Sequence, residues 1–317
     1  MLPVMIRKTL LLISFVILSS SNVQAESWAH WRGPTGNEVS LNATPPTEFS
    51  DTQNVKWKVE IPGKGSGSPI VWENKVFVVS AISEAPEPEA SPVMFSPVAP
   101  QEQERNRQER NRGDGAEGGQ RQRRQRGGRG GRGRGAKPTM TQFKVYCFDR
   151  ETGEPVWEKT AAEVLPHQGI HGTNNFASAS PCTDGEHLYA FFGSRGLFCY
   201  SMDGELKWEK QFGKMETRNS FGEGASPTLV DDKIIVPWDH EGQSSIYALN
   251  KLTGEVIWET QRDEPTNWST PLIVEHEGKK QIVMNGQSKA RVYDLESGEE
   301  LWSCGGQTER PLSLIHI

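Results

Sequence analysis

The chain lacks the features of a helical or membrane-spanning protein. Beyond residue 25 no apolar run approaches the roughly 20 residues that cross a bilayer, and no amphipathic helical stretch exceeds a few turns. Only four of the 317 residues are cysteines, and their spacing fits no metal-ligand pattern. These shortages exclude a transmembrane helix in the body of the chain and a cysteine-based metal site. The cysteines are predicted to be free, half-buried thiols.

Positive charge is scarce outside one segment. Residues 101–137 contain eleven arginines and one lysine against five acids, a net charge of +7, whereas the whole chain sums to −6. The remainder therefore carries −13. An acidic fold argues against a specific nucleic-acid surface, because phosphate binding needs clustered lysine and arginine.

The N-terminus has the layout of a secretory signal peptide. Arg7 and Lys8 precede the mostly apolar residues 10–18, and Val23-Gln-Ala25 is a small-residue cleavage site. A buried N-terminal helix is the alternative interpretation. Residues 1–25 are thus predicted to be a signal peptide cleaved near Ala25, which places the mature protein in the periplasm or outside the cell.

Internal repetition is the strongest signal in the sequence. A run of β-forming residues, a Gly-containing turn and a tryptophan recur at intervals of 44 to 51 residues, and Ser-Pro or Thr-Pro opens most units. Each unit predicts four short antiparallel strands, with glycine providing the tight turn before the last strand. The recurrent tryptophans, which we expect to dock neighbouring units together, are Trp57, Trp157, Trp208, Trp258 and Trp302.

The repeat resembles the tryptophan-docking motif of PQQ-like (quinoprotein-type) β-propellers, Ala-x-Asp-x-x-Thr-Gly-x-x-x-Trp. Residues 248–258 match it with Asn250 in place of Asp, and residues 147–157 match it with Cys147 in place of Ala. The leader Trp28-Ala-His-Trp-Arg-Gly-Pro34 is similar to that of a bacterial exported subgroup. The resemblance implies an all-β propeller of four-stranded antiparallel blades. Four blades are present, so the ring is predicted to be incomplete.

The predicted organisation follows the repeat. Residues 26–83 begin the propeller, residues 84–140 form an insert, and residues 141–305 supply the remaining blades. The insert is Pro/Glu-rich and then Arg/Gly-rich, and without apolar residues it is predicted to be disordered. Residues 306–317 look non-native, and the sequence is interpreted as a C-terminally truncated member of the family.

Polar segments precede the innermost strand of three consecutive blades, so their side chains are expected to converge at the mouth of the central channel. Whether the loop Asp239-His-Glu241 shares that face is left open by the sequence. The candidate ligand-binding residues are His167, His171, Asn174, Asn175, Arg218, Asn219, Glu223, Arg262, Asp263 and Trp268.

Three interpretations of these residues compete. His167 and His171 have the spacing of helical metal ligands but lie in a Gly-rich loop. Glu223 and Asp263 could bind Ca²⁺ together with asparagine oxygens. The third interpretation is a hydrogen-bonded network that fixes the entry to each blade. No catalytic residue is assigned, because no nucleophile and base can be paired from the sequence.

Two functions follow from the resemblance. The favoured one is a non-enzymatic binding or assembly scaffold similar to BamB, with a protein partner or a surface polymer, no cofactor and no specific nucleic acid. The alternative is a dehydrogenase that uses PQQ and Ca²⁺. Such enzymes typically have an adjacent Cys-Cys disulfide, and this sequence contains no such pair.

Overall fold

The computed structural model describes residues 26–40, 43–84 and 138–307. Within these ranges the chain forms four sheets of four antiparallel strands and no α-helix. Strands follow one another in chain order within each sheet, so each sheet is a meander. The predicted all-β architecture of four-stranded blades in an incomplete ring is confirmed. The signal peptide, nearly all of the insert and residues 308–317 lie outside the described residues.

The four blades have equivalent strand order. Blade 1 contains β1 (Ile70–Trp72), β2 (Lys75–Ser83), β3 (Thr141–Asp149) and β4 (Pro155–Val164). Blade 2 contains β5 (Cys182–Thr183), β6 (His187–Phe191), β7 (Leu197–Ser201) and β8 (Leu206–Lys210). Blade 3 contains β9 (Thr228–Val230), β10 (Lys233–Trp238), β11 (Ser244–Asn250) and β12 (Val256–Arg262). Blade 4 contains β13 (Leu272–His276), β14 (Lys279–Asn285), β15 (Lys289–Asp294) and β16 (Glu300–Gly305).

Burial decreases towards the outer strand of each blade, as the sequence pattern requires. Every residue of β10 is buried, whereas β12 is exposed or half-buried up to its last residue, the buried Arg262. The central strands are rich in β-branched and aromatic residues because both of their faces pack against neighbouring blades. Charged residues on the outer strands protect the exposed sheet edges from pairing with other chains.

Three apolar clusters join the blades in succession. Phe77 and Phe143 of blade 1 pack against residues of blade 2 such as Phe198. A second cluster joins blades 2 and 3, and a third joins blades 3 and 4 through residues such as Ile246 and Met284. The core therefore lies between blades rather than within one sheet, so each blade depends on its neighbours for stability.

The tryptophans make the same contact at successive blades. Each indole N–H donates to a backbone carbonyl in the turn between the third and fourth strands of the following blade. The bonds are Trp57 to Arg150 at 2.8 Å, Trp157 to Met202 at 3.0 Å, Trp208 to Lys251 at 3.0 Å and Trp258 to Leu295 at 3.1 Å. Trp302 of blade 4 is 53% exposed.

Glycine in these turns makes room for the indole. Gly254 has φ of 72°, and a Cβ added there would lie 2.6 Å from Cε3 of Trp208. Gly298 has the same φ and would bring a Cβ to 2.4 Å from Cε3 of Trp258. The same turn thus recurs in these blades for two reasons. Glycine permits the left-handed backbone, and its missing side chain lets the indole of the preceding blade approach.

Hydroxyl groups link the blades near the channel. The backbone N–H of Ser68 donates to Oγ of Ser180 at 2.8 Å, and that of Ser180 donates to Oγ of Ser226 at 2.9 Å. The N–H of Ser226 donates to Oγ1 of Thr270 at 3.1 Å. The residue before each proline therefore fixes the inner strand of one blade to the next, which explains the recurrent Ser-Pro or Thr-Pro pair.

All four cysteines are free, as predicted. Cys147, Cys182 and Cys199 are completely buried rather than half-buried, because they face the clusters between blades. Burial raises the pKa of Cys147 and of Cys199 to about 12. Thiols with such pKa values remain protonated at neutral pH and are poor nucleophiles. Cys304 is exposed.

Candidate functional site

The polar segments converge on one face, which we call the mouth face. It carries the connections between blades, residues 165–181, 211–227 and 263–271, and the loops between the second and third strands of blades 2, 3 and 4. In a meander, alternate connections lie at the same ends of the strands, which brings these two sets together. The turns between third and fourth strands, which receive the tryptophans, lie on the opposite face, here called the turn face.

The loop at residues 239–243 also lies on the mouth face. Nδ1 of His240 accepts the backbone N–H of Glu216 at 3.2 Å, from the connection between blades 2 and 3. Oε1 of Glu241 accepts Oγ1–H of Thr266 at 2.8 Å, from the connection between blades 3 and 4. This loop thus bridges two neighbouring connections. It lies on the same face as they do, which the sequence alone leaves open.

Glu223 fastens one connection to blade 2. Its carboxylate accepts the backbone N–H of Ser194 at 2.7 Å, the Ser194 hydroxyl at 2.5 Å and Nη1–H of Arg195 at 3.2 Å. The Arg195 side chain is 5% exposed and lies over the rings of Phe143 and Phe176. Burial lowers the pKa of Arg195, and the nearby Glu223 carboxylate opposes that change. Both carboxylate oxygens of Glu223 are therefore engaged within the protein.

Glu264 repeats this arrangement in blade 4. Its carboxylate accepts the backbone N–H of Ser288 at 3.1 Å, the Ser288 hydroxyl at 2.6 Å and Nη1–H of Arg291. Arg291 is buried and also pairs with Asp263 and with Glu300, the latter at 3.3 Å. Burial acts to raise the pKa of Glu264, but the hydrogen bonds from Ser288 and Arg291 outweigh it and hold the pKa below its usual value.

Arg262 forms a buried ion pair with Asp239 in blade 3. Its Nε and Nη2 donate to the two carboxylate oxygens at 2.8 and 3.1 Å, and Nη1 donates to the Tyr293 hydroxyl at 2.5 Å. Asn267 donates to the same carboxylate at 3.2 Å. Burial raises the pKa of Asp239, while Arg262 and Asn267 oppose the shift. Arg262 is thus a structural cation beneath the mouth and is not exposed there.

The two histidines lie on the mouth face but do not meet as a ligand pair. Nε2 of His167 hydrogen-bonds the Met215 carbonyl at 2.7 Å. Nδ1 of His171 hydrogen-bonds Oγ1 of Thr173 at 2.8 Å. Both residues are exposed, and they bond to different segments. Exposure leaves them available for contact with another molecule.

The asparagines join three segments. Asn174 donates to the Phe221 carbonyl at 2.7 Å and accepts the Ser178 hydroxyl at 2.6 Å. Asn175 donates to Oγ of Ser66 at 2.5 Å. Because these bonds cross from blade 1 through to the connection before blade 3, both asparagines act as links within the mouth.

Trp268, Arg218 and Asn219 complete the candidates. The indole N–H of Trp268 donates to the Gly222 carbonyl at 2.8 Å, and its ring meets Phe221 edge-on at 6.2 Å. Arg218 and Asn219 are exposed, and Asn219 has φ of 53°. Trp268 is therefore a wall of the mouth, whereas Arg218 and Asn219 project from its rim.

A narrow cleft of about 30 Å³ lies at the centre of the mouth face. Its walls include Phe176, Arg195, Glu223, Asp239 and Trp268. Room for a buried water begins at about 10–15 Å³, so this cleft accommodates one or two waters.

The donor set in the described residues does not fit Ca²⁺ with PQQ. A calcium ion takes six to eight oxygen ligands, usually with several carboxylates. Glu223, Asp239 and Glu264 are each engaged by an arginine, and no group of three His, Cys, Asp or Glu residues in the described ranges is arranged to hold a metal. These three acids are committed to contacts within the protein.

Several important residues escape sequence analysis. Arg195 lies in a Gly-Ser-Arg-Gly loop, and Glu264 follows Asp263 directly. One signal could have indicated Glu264. Arg291 is a charged residue within a buried stretch of β15, between Ala290 and Val292, and a buried charge requires a buried partner.

Comparison with known proteins places this architecture among PQQ-like propellers. The family profile described as "Outer membrane protein assembly factor BamB" matches residues 141–310, more than half of the chain. The chain belongs to this family. No curated protein sequence matches it significantly. No helix in the part of the chain that the structure describes has the length and apolarity to span a membrane.

Solved structures similar to the chain include BamB and several dehydrogenases. BamB from Moraxella catarrhalis is 17% identical with a TM-score of 0.38, over 55% of this chain and 49% of that one. A europium-containing methanol dehydrogenase is 10% identical with a TM-score of 0.39, over 57% and 43%. Quinohemoprotein alcohol dehydrogenase from Comamonas testosteroni is 12% identical with a TM-score of 0.38, over 56% and 35%. The chain thus spans half or less of the length of these structures.

Proposed function

We propose that the chain is an exported, non-catalytic scaffold that binds another protein through its mouth face. The observation that carries this proposal is the internal use of the mouth charges. Glu223, Asp239 and Glu264 each bond an arginine of the protein itself, so none of them is a free base or a cation ligand. Such a site is rigid and suits recognition rather than chemistry.

The rim provides the contact surface. His167, His171 and Arg218 are exposed there. Their connections are hydrogen-bonded to neighbouring connections through the His167 side chain and the backbone N–H of Arg218. Exposed histidine and arginine side chains on a rigid support can bond a partner at little entropic cost, which favours protein recognition. The family description as an assembly factor agrees with this role, and the signal-peptide pattern agrees with export.

Site-specific photo-cross-linking in cells tests the proposal. We expect a discrete protein adduct when benzoylphenylalanine replaces Arg218 or His171, and none when it replaces Glu299 on the turn face, which is equally exposed. The partner, identified by mass spectrometry, should form the same adduct after purification. An adduct with glycan instead of protein would favour a surface polymer.

Enzyme assays provide the opposing outcome. The purified chain is incubated with PQQ and Ca²⁺, and dye reduction is followed with a series of alcohols. We expect no reduction above a control without protein. Turnover that depends on both PQQ and Ca²⁺ would refute a non-catalytic role.

A further inference from the structure

The leader segment crosses the inner side of the blades. Trp28 pairs with Val71 of blade 1 through two backbone hydrogen bonds of 2.6 and 2.9 Å. The Ala29 carbonyl accepts the N–H of Thr183 in blade 2 at 3.0 Å. Arg32 then reaches the start of blade 4. The motif Trp28-Ala-His-Trp-Arg is therefore part of the wall that lines the inner strands.

Arg32 is a buried cation without a paired acid. The residue is 3% exposed, and its Nη1 and Nη2 donate to the carbonyls of Pro271 and Thr270 at 3.2 and 3.3 Å. Its Nε has no hydrogen-bond partner, and no acid of the described residues forms an ion pair with it. The exposed Glu38, whose backbone N–H donates to the Arg32 carbonyl at 2.8 Å, acts on the charge of Arg32 without forming an ion pair with it. Buried charges are normally paired with an opposite charge, so the surroundings of this guanidinium favour an anion.

A cavity of about 120 Å³ adjoins this guanidinium. His30, Trp31 and Arg32 form one wall, and the inner strands of blades 3 and 4 form the other, through residues such as Leu229 and Ile273. For comparison, an apolar cavity of about 150 Å³ admits benzene. The cavity therefore suits a group of four or five heavy atoms.

His30 contributes a second donor to the same cavity. Its Nδ1 accepts the backbone N–H of Arg32 at 3.2 Å, so the neutral ring carries its proton on Nε2. Burial lowers the pKa of His30, and the charge of Arg32 lowers it further. The ring is then neutral at pH 7 with a fixed tautomer, and it can donate one hydrogen bond to a ligand.

We propose that Arg32 and His30 bind a small oxyanion, the carboxylate or phosphate group of a ligand, in this cavity. The guanidinium supplies the charge, and each of its Nη atoms has a second N–H besides the one given to a carbonyl. Such paired donors form a fork that matches the oxygens of an oxyanion. The Nε2–H of the His30 imidazole donates one hydrogen bond, which orients the oxyanion. The ring of Trp31, 4.5 Å from the guanidinium carbon, holds the fork in place.

Thermal unfolding of the purified full chain tests the site. Melting temperature is measured at pH 7 and constant ionic strength in phosphate, acetate or chloride. For a specific site we expect a saturable rise of roughly 3–6 °C at a tenfold excess of oxyanion over Kd, with little effect of chloride. A larger rise with acetate than with phosphate would identify a carboxylate ligand, and the reverse would identify a phosphate group.

Variants separate this site from general salt effects. Arg32→Ala should abolish the saturable rise, and Arg32→Lys should weaken it because lysine lacks the fork. Arg150→Ala is the control. The guanidinium of Arg150, like that of Arg32, donates to a backbone carbonyl, that of Glu73, but it does not line the cavity. This variant should keep the full rise in melting temperature.

A third variant and a direct measurement guard against misfolding. If Arg32→Ala does not fold, His30→Gln should still fold and lower the affinity severalfold. Calorimetric titration of the unaltered chain with phosphate and with acetate is decisive. No saturable heat with either anion, or an equal temperature rise in Arg32→Ala, would overturn the proposal.

Discussion

The two faces of the blade array are held together by different chemistry. On the turn face, one contact recurs from blade to blade: an indole N–H bonds a carbonyl beside a glycine turn. On the mouth face, buried arginine–carboxylate pairs take the place of the indoles. Arg195–Glu223 and Arg291–Glu264 share one pattern, whereas Arg262–Asp239 lies within blade 3 and bonds Tyr293 of blade 4. The tryptophan contacts are uniform and define the fold, whereas the charged contacts differ from blade to blade.

Removing Arg262 from its buried pair with Asp239 should have the largest effect. Arg262→Met leaves the Asp239 carboxylate buried with only Asn267 as a donor, and we expect a loss of about 3–5 kcal/mol in the free energy of unfolding. Urea denaturation at pH 7 measures it. The loss should shrink as the pH falls, because Asp239, whose pKa burial raises, becomes protonated and no longer needs a counter-ion.

A double variant sharpens the same comparison. Asp239→Leu with Arg262→Met replaces both charges by apolar groups and should recover most of the lost stability. If the double variant is as unstable as Arg262→Met, the ion pair itself stabilises the fold. The two charges then do more than offset each other's cost of burial.

The tryptophans allow a matched test on the turn face. Trp258→Ala removes an indole that packs on the turn of blade 4, and we expect a loss of about 3 kcal/mol. Trp302→Ala alters the equivalent position, where the residue is 53% exposed, and should cost less than about 1 kcal/mol in this chain. Equal losses from the two substitutions in urea denaturation would show that docking on the next blade is not the source of the stability.

The repeated features could be read from the sequence, and the unique ones could not. Trp258 and its turn glycines recur at fixed spacing, so a single chain reveals both the strand order and the docking position. The partner of Arg262 could not be identified, because Asp239 lies on another strand and nothing in the sequence reports their distance. Glu223 was expected to face the channel as a ligand candidate, yet its carboxylate is turned onto Ser194 and Arg195. Propeller loops of similar composition differ in such details because side-chain direction is set by tertiary contacts.

The smallest expected effect concerns the acid side of the stability curve. The pKa of Glu264 is lower in the folded state than its ordinary value of about 4.3, so the stability that it contributes is present above that value and is lost as the pH falls through the folded pKa. Glu264→Gln should therefore lose about 2 kcal/mol at pH 7, and the difference from the unaltered chain should narrow below about pH 4.

A neighbouring acid provides the control for this prediction. Asp263→Asn alters a residue that pairs with the same Arg291 but has a side chain that is 78% exposed. Solvent screens that pair, so its removal should change stability little at any pH between 3 and 7. Parallel stability curves for Glu264→Gln and the unaltered chain would contradict the assignment of Glu264 as a buried link between blades.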